Sequence, residues 1–500
     1  MSKYLKLFET HTNYETYING NDAVKPNVSY CEDVKDVHFN PHTWADEYLT
    51  FVALEDGTIS FDIWQTMGTD MITSISYSTD NGETWTTTEN QDNKSGSIVI
   101  TVNVNEGDKV LWKGDAQQFG YEDEETYQTF GSFFSSTCEF DAMGNVMSLL
   151  YGDNFVGETT IENSHCFCYL FSDLEGIKHT LVVNANNLVL PATILADVCY
   201  GSMFDSCTNL TSAPELPATT LAQYCYGGMF YNCTSLTTAP ELPATTLVQS
   251  CYSSMFCSCT SLTSTPQLPA TTLAESCYGN MFYDCTSLTS APQLPATTLA
   301  EYCYDSMFKG CTSLTSAPQL PATTLANYCY NKMFNGCTNL TTAPQLSATT
   351  LANYCYSYMF QGCTGLTSAP ELSATTLANG CYGSMFRDCT SLTTAPQLPA
   401  TTLTQYCYQY MFRDCTSLTS APELLATTLA QYCYQYMFQG CTNLNYIKAM
   451  FTTAPSSTYT NNWVSGVAAS GTFVKNSAAT WTTTGVNGVP TGWTVQTASA

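Results

Sequence analysis

Positive charge is scarce in this chain of 500 residues: 14 lysines and arginines face 42 aspartates and glutamates, for a formal net charge of -28. Phosphate backbones are held by basic faces, so nucleic acid is not expected as a partner. Histidines number 5, and no zinc spacing, phosphate loop, Ser/His/Asp order or framed carboxylate pair occurs. Neither catalysis nor a metal or cofactor is therefore expected. A membrane-spanning helix needs about 18 or more consecutive apolar residues, and no such run is present, so membrane insertion is not expected either. The opening Met1-Ser-Lys-Tyr-Leu-Lys-Leu-Phe-Glu-Thr lacks the apolar core and cleavage site of a secretory leader. Acidity is uneven: 25 of the 42 carboxylates lie in residues 1–150. The densest run, Glu122-Asp123-Glu124-Glu125, reads as a solvated loop.

What the chain has in abundance is periodic. Between Cys199 and Cys441 one 26-residue unit is written ten times, as in Thr220-Leu-Ala-Gln-Tyr-Cys225-Tyr-Gly-Gly-Met229-Phe230-Tyr-Asn-Cys233-Thr-Ser-Leu236 and the nine residues after it. A period of this length signals a solenoid. Ala222, Cys225, Tyr226, Met229, Phe230 and Cys233 fall at i, i+3, i+4, i+7, i+8 and i+11, the spacing of an apolar stripe on a helix. Thr220 and Gln223 have capping-box spacing, which returns at Thr246/Gln249, Thr272/Glu275, Thr298/Glu301, Thr402/Gln405 and Thr428/Gln431. The second half, Leu236 to Thr245, is β-prone, but Pro240 and Pro243 remove ladder donors, so only a short strand is expected there. Leu236, Ala239 and Leu242 should point inward. The expected fold class is thus α/β: a solenoid of ten repeats, one short strand plus one helix each, stacked because no unit can bury its own apolar face.

Twenty of the 25 cysteines occupy two fixed positions of the repeat. They read as buried thiols packed as small hydrophobes, in preference to a disulfide framework. Cys31, Cys138, Cys166, Cys168 and Cys257 remain.

Met281-Phe282-Tyr-Asp-Cys285-Thr-Ser-Leu288-Thr resembles the BspA-type leucine-rich repeats of gut and oral bacterial surface proteins and of phages that infect such bacteria. The units here are longer by about one helical turn, the extra Cys-Tyr-x-x before Met-Phe. The resemblance implies a leucine-rich-repeat solenoid over 195–444 with an adhesion role. Residues 1–46 resemble N-terminal segments of structural proteins from Bacteroides-infecting phages, crAss-like ones included. That implies a docking segment for other virion proteins; the alternative is a first hairpin of the next domain. A non-enzymatic protein on the virion surface, made in the host cytoplasm, is the leading reading. A bacterial cell-surface adhesin of BspA type and a purely structural capsid or tail decoration are the others.

From 47 to 150 the apolar period switches to two. Tyr48 to Leu54, the turn Glu55-Asp56-Gly57, and Thr58 to Trp64 read as strand, tight turn, strand. Ile72–Tyr77, Ile98–Val104 and Lys109–Trp112 add strands of a small all-β sandwich. Ser78-Thr-Asp80-Asn-Gly82-Glu-Thr84-Trp85 resembles an Asp-box, a folding hairpin in which a carboxylate caps turn amides. A sialidase-like site is not implied, because the chain has two arginines, Arg387 and Arg413, where such enzymes use three. Residues 151–194 are expected to form the N-terminal cap of the solenoid, with Cys166-Phe-Cys-Tyr-Leu-Phe171 as a divergent first coil, and 445–500 the C-terminal cap. His165 with Cys166 and Cys168 reads as cap packing, and His38 and His42 carry no metal signal.

Core positions barely change between copies, while the residues flanking Cys-Tyr do. Tyr224, Tyr302, Tyr328, Tyr354, Tyr358, Tyr406, Tyr410, Tyr432 and Tyr436 lie opposite the apolar stripe and are expected to be exposed. Recurring one coil apart beside amides, they form a ladder suited to a host surface glycan or protein. Ordinary helix surface with aromatic stacking is the competing reading. Arg387-Asp388 and Arg413-Asp414 are expected to be local ion pairs.

Overall fold

The computed structural model describes residues 43–65, 72–89, 96–117, 119–122, 129–173 and 180–498. The expectations for residues 1–42, including Cys31, His38 and His42, and for Asp123 to Glu125 lie outside them. Two-residue alternation builds strands at the front of the chain. These are β1 (Leu49–Ala53), β2 (Gly57–Gln65), β3 (Ile72–Ser78), β4 (Thr86–Glu89), β5 (Gly96–Val104) and β6 (Lys109–Ala116). They continue as β7 (Gly120–Glu122), β8 (Thr129–Gly131), β9 (Phe133–Ser136), β10 (Phe140–Asn145) and β11 (Val182–Val189). One sheet has the order β11-β10-β1-β6-β3-β4, a second β5-β2-β9, and β7 pairs with β8. Between the larger sheets, Phe51 of β1 meets Phe134 of β9 edge-on at 4.7 Å, and Phe61 of β2 lies 6.2 Å from Trp112 of β6.

The strand, tight turn and strand expected over 48–64 is not a hairpin. β1 pairs with β10 and β6, whereas β2 pairs with β5 and β9. Leu54 to Asp56 carry the chain from one sheet to the other, so that Phe51 and Phe61 enter the shared core from opposite sides. β11 joins the large sheet by pairing in parallel with β10, which ties the first coil to the sandwich.

The repeats contain no helix. In the unit that holds Cys225, alternate amides close turns within the coil: Cys225 N–H donates to Ala222, Gly227 to Tyr224, Met229 to Tyr226, Tyr231 to Gly228 and Cys233 to Phe230, at 2.9–3.3 Å. The amides between them leave the coil: Tyr224 donates to Gln249, Tyr226 to Cys251, Gly228 to Ser253, Phe230 to Met255 and Asn232 to Cys257, at 2.7–3.3 Å. Tyr224, Gly228 and Asn232 have φ of 54°, 61° and 56°. Turns with a left-handed third residue therefore alternate with turns whose central residues both have negative φ. The true period is four: Cys225-Tyr226, Met229-Phe230 and Cys233 are buried, and Gln223-Tyr224, Gly227-Gly228 and Tyr231-Asn232 are not. Over so short a stretch, four-residue and 3.6-residue periods place apolar residues alike, which is why the spacing imitates a helix. Thr220 caps nothing; its amide donates to Thr193, one coil back.

The other side of each coil is nearly strand. Parallel bridges of single residues connect coils, as at Thr238 with Ser264, Ser316 with Thr342 and Leu346 with Leu372. Leu236 and Leu242 are buried, and Ala239 packs against the core from a half-buried position.

Inside, columns of like residues run along the solenoid, among them phenylalanine, tyrosine and two of cysteine. Phenylalanines from Phe171 to Phe438 stack at 5.1–5.8 Å. Tyrosines from Tyr200 to Tyr434 stack at 5.7–6.0 Å. The 24 described cysteines are free and buried. In the column from Cys207 to Cys441 every thiol donates to a phenylalanine carbonyl of the preceding coil, at 2.9–3.1 Å. These cysteines are thus hydrogen-bond donors as well as small hydrophobes. Beyond Leu444 a parallel sheet of β12 (Tyr446–Ala449), β13 (Thr472–Lys475) and β14 (Thr494–Thr497) continues the stack. Trp463 covers the last rings, 6.3 Å from Tyr434 and 6.1 Å from Phe438.

Candidate functional site

Each coil presents three left-handed positions to its turn face, four residues apart. The third is held by Ser206, Asn232, Ser258, Asp284, Gly310, Gly336, Gly362, Asp388, Asp414 and Gly440. All are types that tolerate this conformation cheaply or compensate it with a short polar side chain. The first and second positions depart from that rule. All nine tyrosines singled out in the sequence sit there, with φ of 54–60°. Tyr224, Tyr302, Tyr328, Tyr354, Tyr406 and Tyr432 fill the first position, and Tyr358, Tyr410 and Tyr436 the second.

The structure brings most of them together. Tyr302 stacks on Tyr328 at 4.7 Å and Tyr328 on Tyr354 at 5.0 Å. Tyr406 stacks on Tyr432 at 5.1 Å, and Tyr410 on Tyr436 at 4.6 Å. Between the two runs stands Gly380, where a Cβ would lie 2.3 Å from the Tyr354 ring; that ring folds over the glycine. Full exposure was expected, but only Tyr224, at 46%, has it. The other eight are half-buried: seven of these rings lie flat against a neighbouring tyrosine, while Tyr358 lies under the Lys332 ammonium, 6.0 Å from its ring centre. Tyr224 stands apart from the stacks, near the N-terminal end.

Amides run beside the rings. Gln405 donates to Gln431 at 3.2 Å and Gln409 to Gln435, while Asn461 donates to the Tyr436 hydroxyl at 3.1 Å. Arg387 and Arg413 pair with Asp388 and Asp414 at 3.3 and 3.1 Å, and both guanidinium groups approach the Tyr410 ring, at 5.9 and 5.7 Å. That arginine contribution was not foreseen; the recurrence of the two at the same position of adjacent repeats, with Tyr410 between them, was the available signal. Desolvation raises the phenols of Tyr302, Tyr328, Tyr354 and Tyr410. They are neutral donors and acceptors at physiological pH. The surface offers flat apolar edges with hydroxyls and amides in register.

In the sandwich, Asp80 accepts from Ser78 at 2.7 Å and from the Thr84 amide at 2.9 Å and also from the Thr84 hydroxyl. These bonds, those of Thr84 first, pull its carboxyl down to about 2. Its oxygens are committed to closing the turn. Among the described residues, no three His, Cys, Asp or Glu side chains come together as metal ligands, and no helix is long and apolar enough to cross a membrane.

Stacked coils with one buried leucine-bearing strand side define a leucine-rich-repeat solenoid. The family described as BspA type leucine rich repeat region (6 copies) matches over 184–315, 275–419 and 331–465, together more than half of the chain. The chain belongs to this family, which points to a role in surface adhesion or protein interaction. Among solved structures, that of the TLR13-ssRNA13 complex is 13% identical over 63% of this chain, with a TM-score of 0.24. This chain spans half of that one, and so slight a likeness carries no inference. No curated protein matches the chain.

Proposed function

We propose that this is a non-enzymatic surface protein of a virion, whose solenoid presents the tyrosine-lined turn face to a host-cell glycan or protein. One observation carries the reading. A left-handed backbone costs a side chain with a Cβ about 1–2 kcal/mol, yet bulky tyrosine recurs at positions where glycine or asparagine would be cheaper. Strain repeated on one exposed face, beside an otherwise invariant interior, favours recognition over stability as its origin. The virion attachment rests on the likeness of residues 1–46 to phage structural proteins.

Binding of the purified protein to intact host cells, with and without their capsular polysaccharide, tests this. Wild type is expected to bind, and Tyr328→Ser with Tyr354→Ser to bind at least about tenfold more weakly, the worth of one well-packed aromatic contact. Equal binding by both proteins would refute the surface assignment. Mass spectrometry of purified particles tests the location, and absence of the protein from them would leave the bacterial adhesin.

A further inference from the structure

We infer that the N-terminal end of the turn face holds a pocket for a single pyranose, separate from the stacked tyrosines. In the coils after Cys199 the second left-handed position and the residue before it are small: Gly201-Ser202, Gly227-Gly228 and Ser253-Ser254. Of the later coils, several carry larger pairs there, Asn331-Lys332, Gln409-Tyr410 and Gln435-Tyr436 among them, and three consecutive small pairs occur only at this end. The face accordingly sinks into a cavity of about 590 Å³ lined by those small residues. A Cβ at Gly228 would come within 3.0 Å of Ser202 Oγ, so the floor stays open because no side chain rises from it. Tyr224 and Tyr231, 46% and 40% exposed, flank the two glycines along the same coil. Asp205 also lines the cavity and accepts from Ser206 Oγ at 2.9 Å.

The contents match a sugar. The volume falls in the small-molecule range of roughly 300–1,000 Å³. A pyranose has a flat C–H face, which tyrosine rings accept, and a rim of hydroxyls, which serines and a carboxylate bond. An ammonium group matches poorly. It calls for a tight aromatic cage, whereas this cavity is wide and offers the two flanking rings of Tyr224 and Tyr231.

Saturation-transfer NMR of the full-length protein with free D-glucose, D-galactose, D-mannose and N-acetyl-D-glucosamine decides it, with tetramethylammonium as the cation probe. At least one sugar should give a signal. Ser254→Tyr should abolish it by filling the cavity with a side chain that the same position already accommodates at Tyr358 and Tyr410. Tyr224→Ser, matching Ser250 and Ser276 at its position, should weaken binding about tenfold. Tyr436→Ser, on the distant stack, should change nothing. No signal from any sugar, a signal indifferent to Ser254→Tyr, or a response to tetramethylammonium alone would overturn the pocket. None of these outcomes bears on cell binding through Tyr328 and Tyr354, which is read with different variants.

Discussion

The two cysteine columns look alike in sequence and differ in bonding. Cys285 donates its thiol to Phe256 O at 3.0 Å, whereas a first-column thiol such as Cys225 reaches only to 4.0 Å from a carbonyl. Replacing Cys285 by alanine should therefore cost about 1 kcal/mol more than replacing Cys277, the net worth of one hydrogen bond, as read from urea unfolding midpoints. The buried tyrosines invert this logic. The hydroxyls of Tyr200, Tyr226, Tyr252 and Tyr330 have no hydrogen-bond partner among the described residues. Tyr330→Phe is expected to leave stability unchanged or raise it, because it removes a desolvated polar group while keeping the ring stack. Asp80 gives a pH-dependent case. Its folded carboxyl is depressed from 3.8 to about 2, so its contribution is present above the unfolded value and fades as pH falls through the folded one. A carbon-detected NMR titration should place its midpoint near the lower value, and a midpoint near 4 would disprove the turn bonds.

At the level of the coil, conformation and sterics can be separated. Gly336 has φ of 76°, and a Cβ there would meet nothing closer than 3.7 Å. Gly336→Val should still destabilise by about 1–2 kcal/mol through backbone strain alone, while Gly336→Asn, whose side chain suits the left-handed region, should cost less. Equal costs would mean that the turns are not as described. The same geometry explains what the sequence made legible. The 26-residue period, the buried Cys-Tyr and Met-Phe pairs and the inward leucines could be read directly, because burial selects residue type strongly. The turn ribbon could not, since Ala222, Cys225, Tyr226, Met229 and Phe230 satisfy a helix equally well. A separate signal was available in the third left-handed position, where only Gly, Asn, Asp and Ser occur across ten copies. The nine tyrosines were found as variable positions, but their strained backbone and the flat stacking of seven of them depend on neighbouring coils and leave no local trace.

For the whole molecule, each coil bonds only to the coils beside it, so stability should be close to a sum over coils and their interfaces. Deleting residues 272–297, one full period, keeps every ladder in register and should leave a folded, slightly less stable protein. Deleting 445–500 should instead cause aggregation, because Tyr434 and Phe438 would lose the Trp463 cover. The central claim is that the coils share one dry interior seam of thiols and rings, leaving the turn face free for recognition. Counting reactive thiols, with peptide mapping, on native protein and then in denaturant without reductant tests it most directly. Desolvation holds thiols such as Cys233 and Cys285 well above their usual range, so none of the 24 described cysteines should react in the native state and all should react once unfolded. Rapid native labelling along the repeats, or a paired shortfall of thiols after unfolding, would contradict that seam.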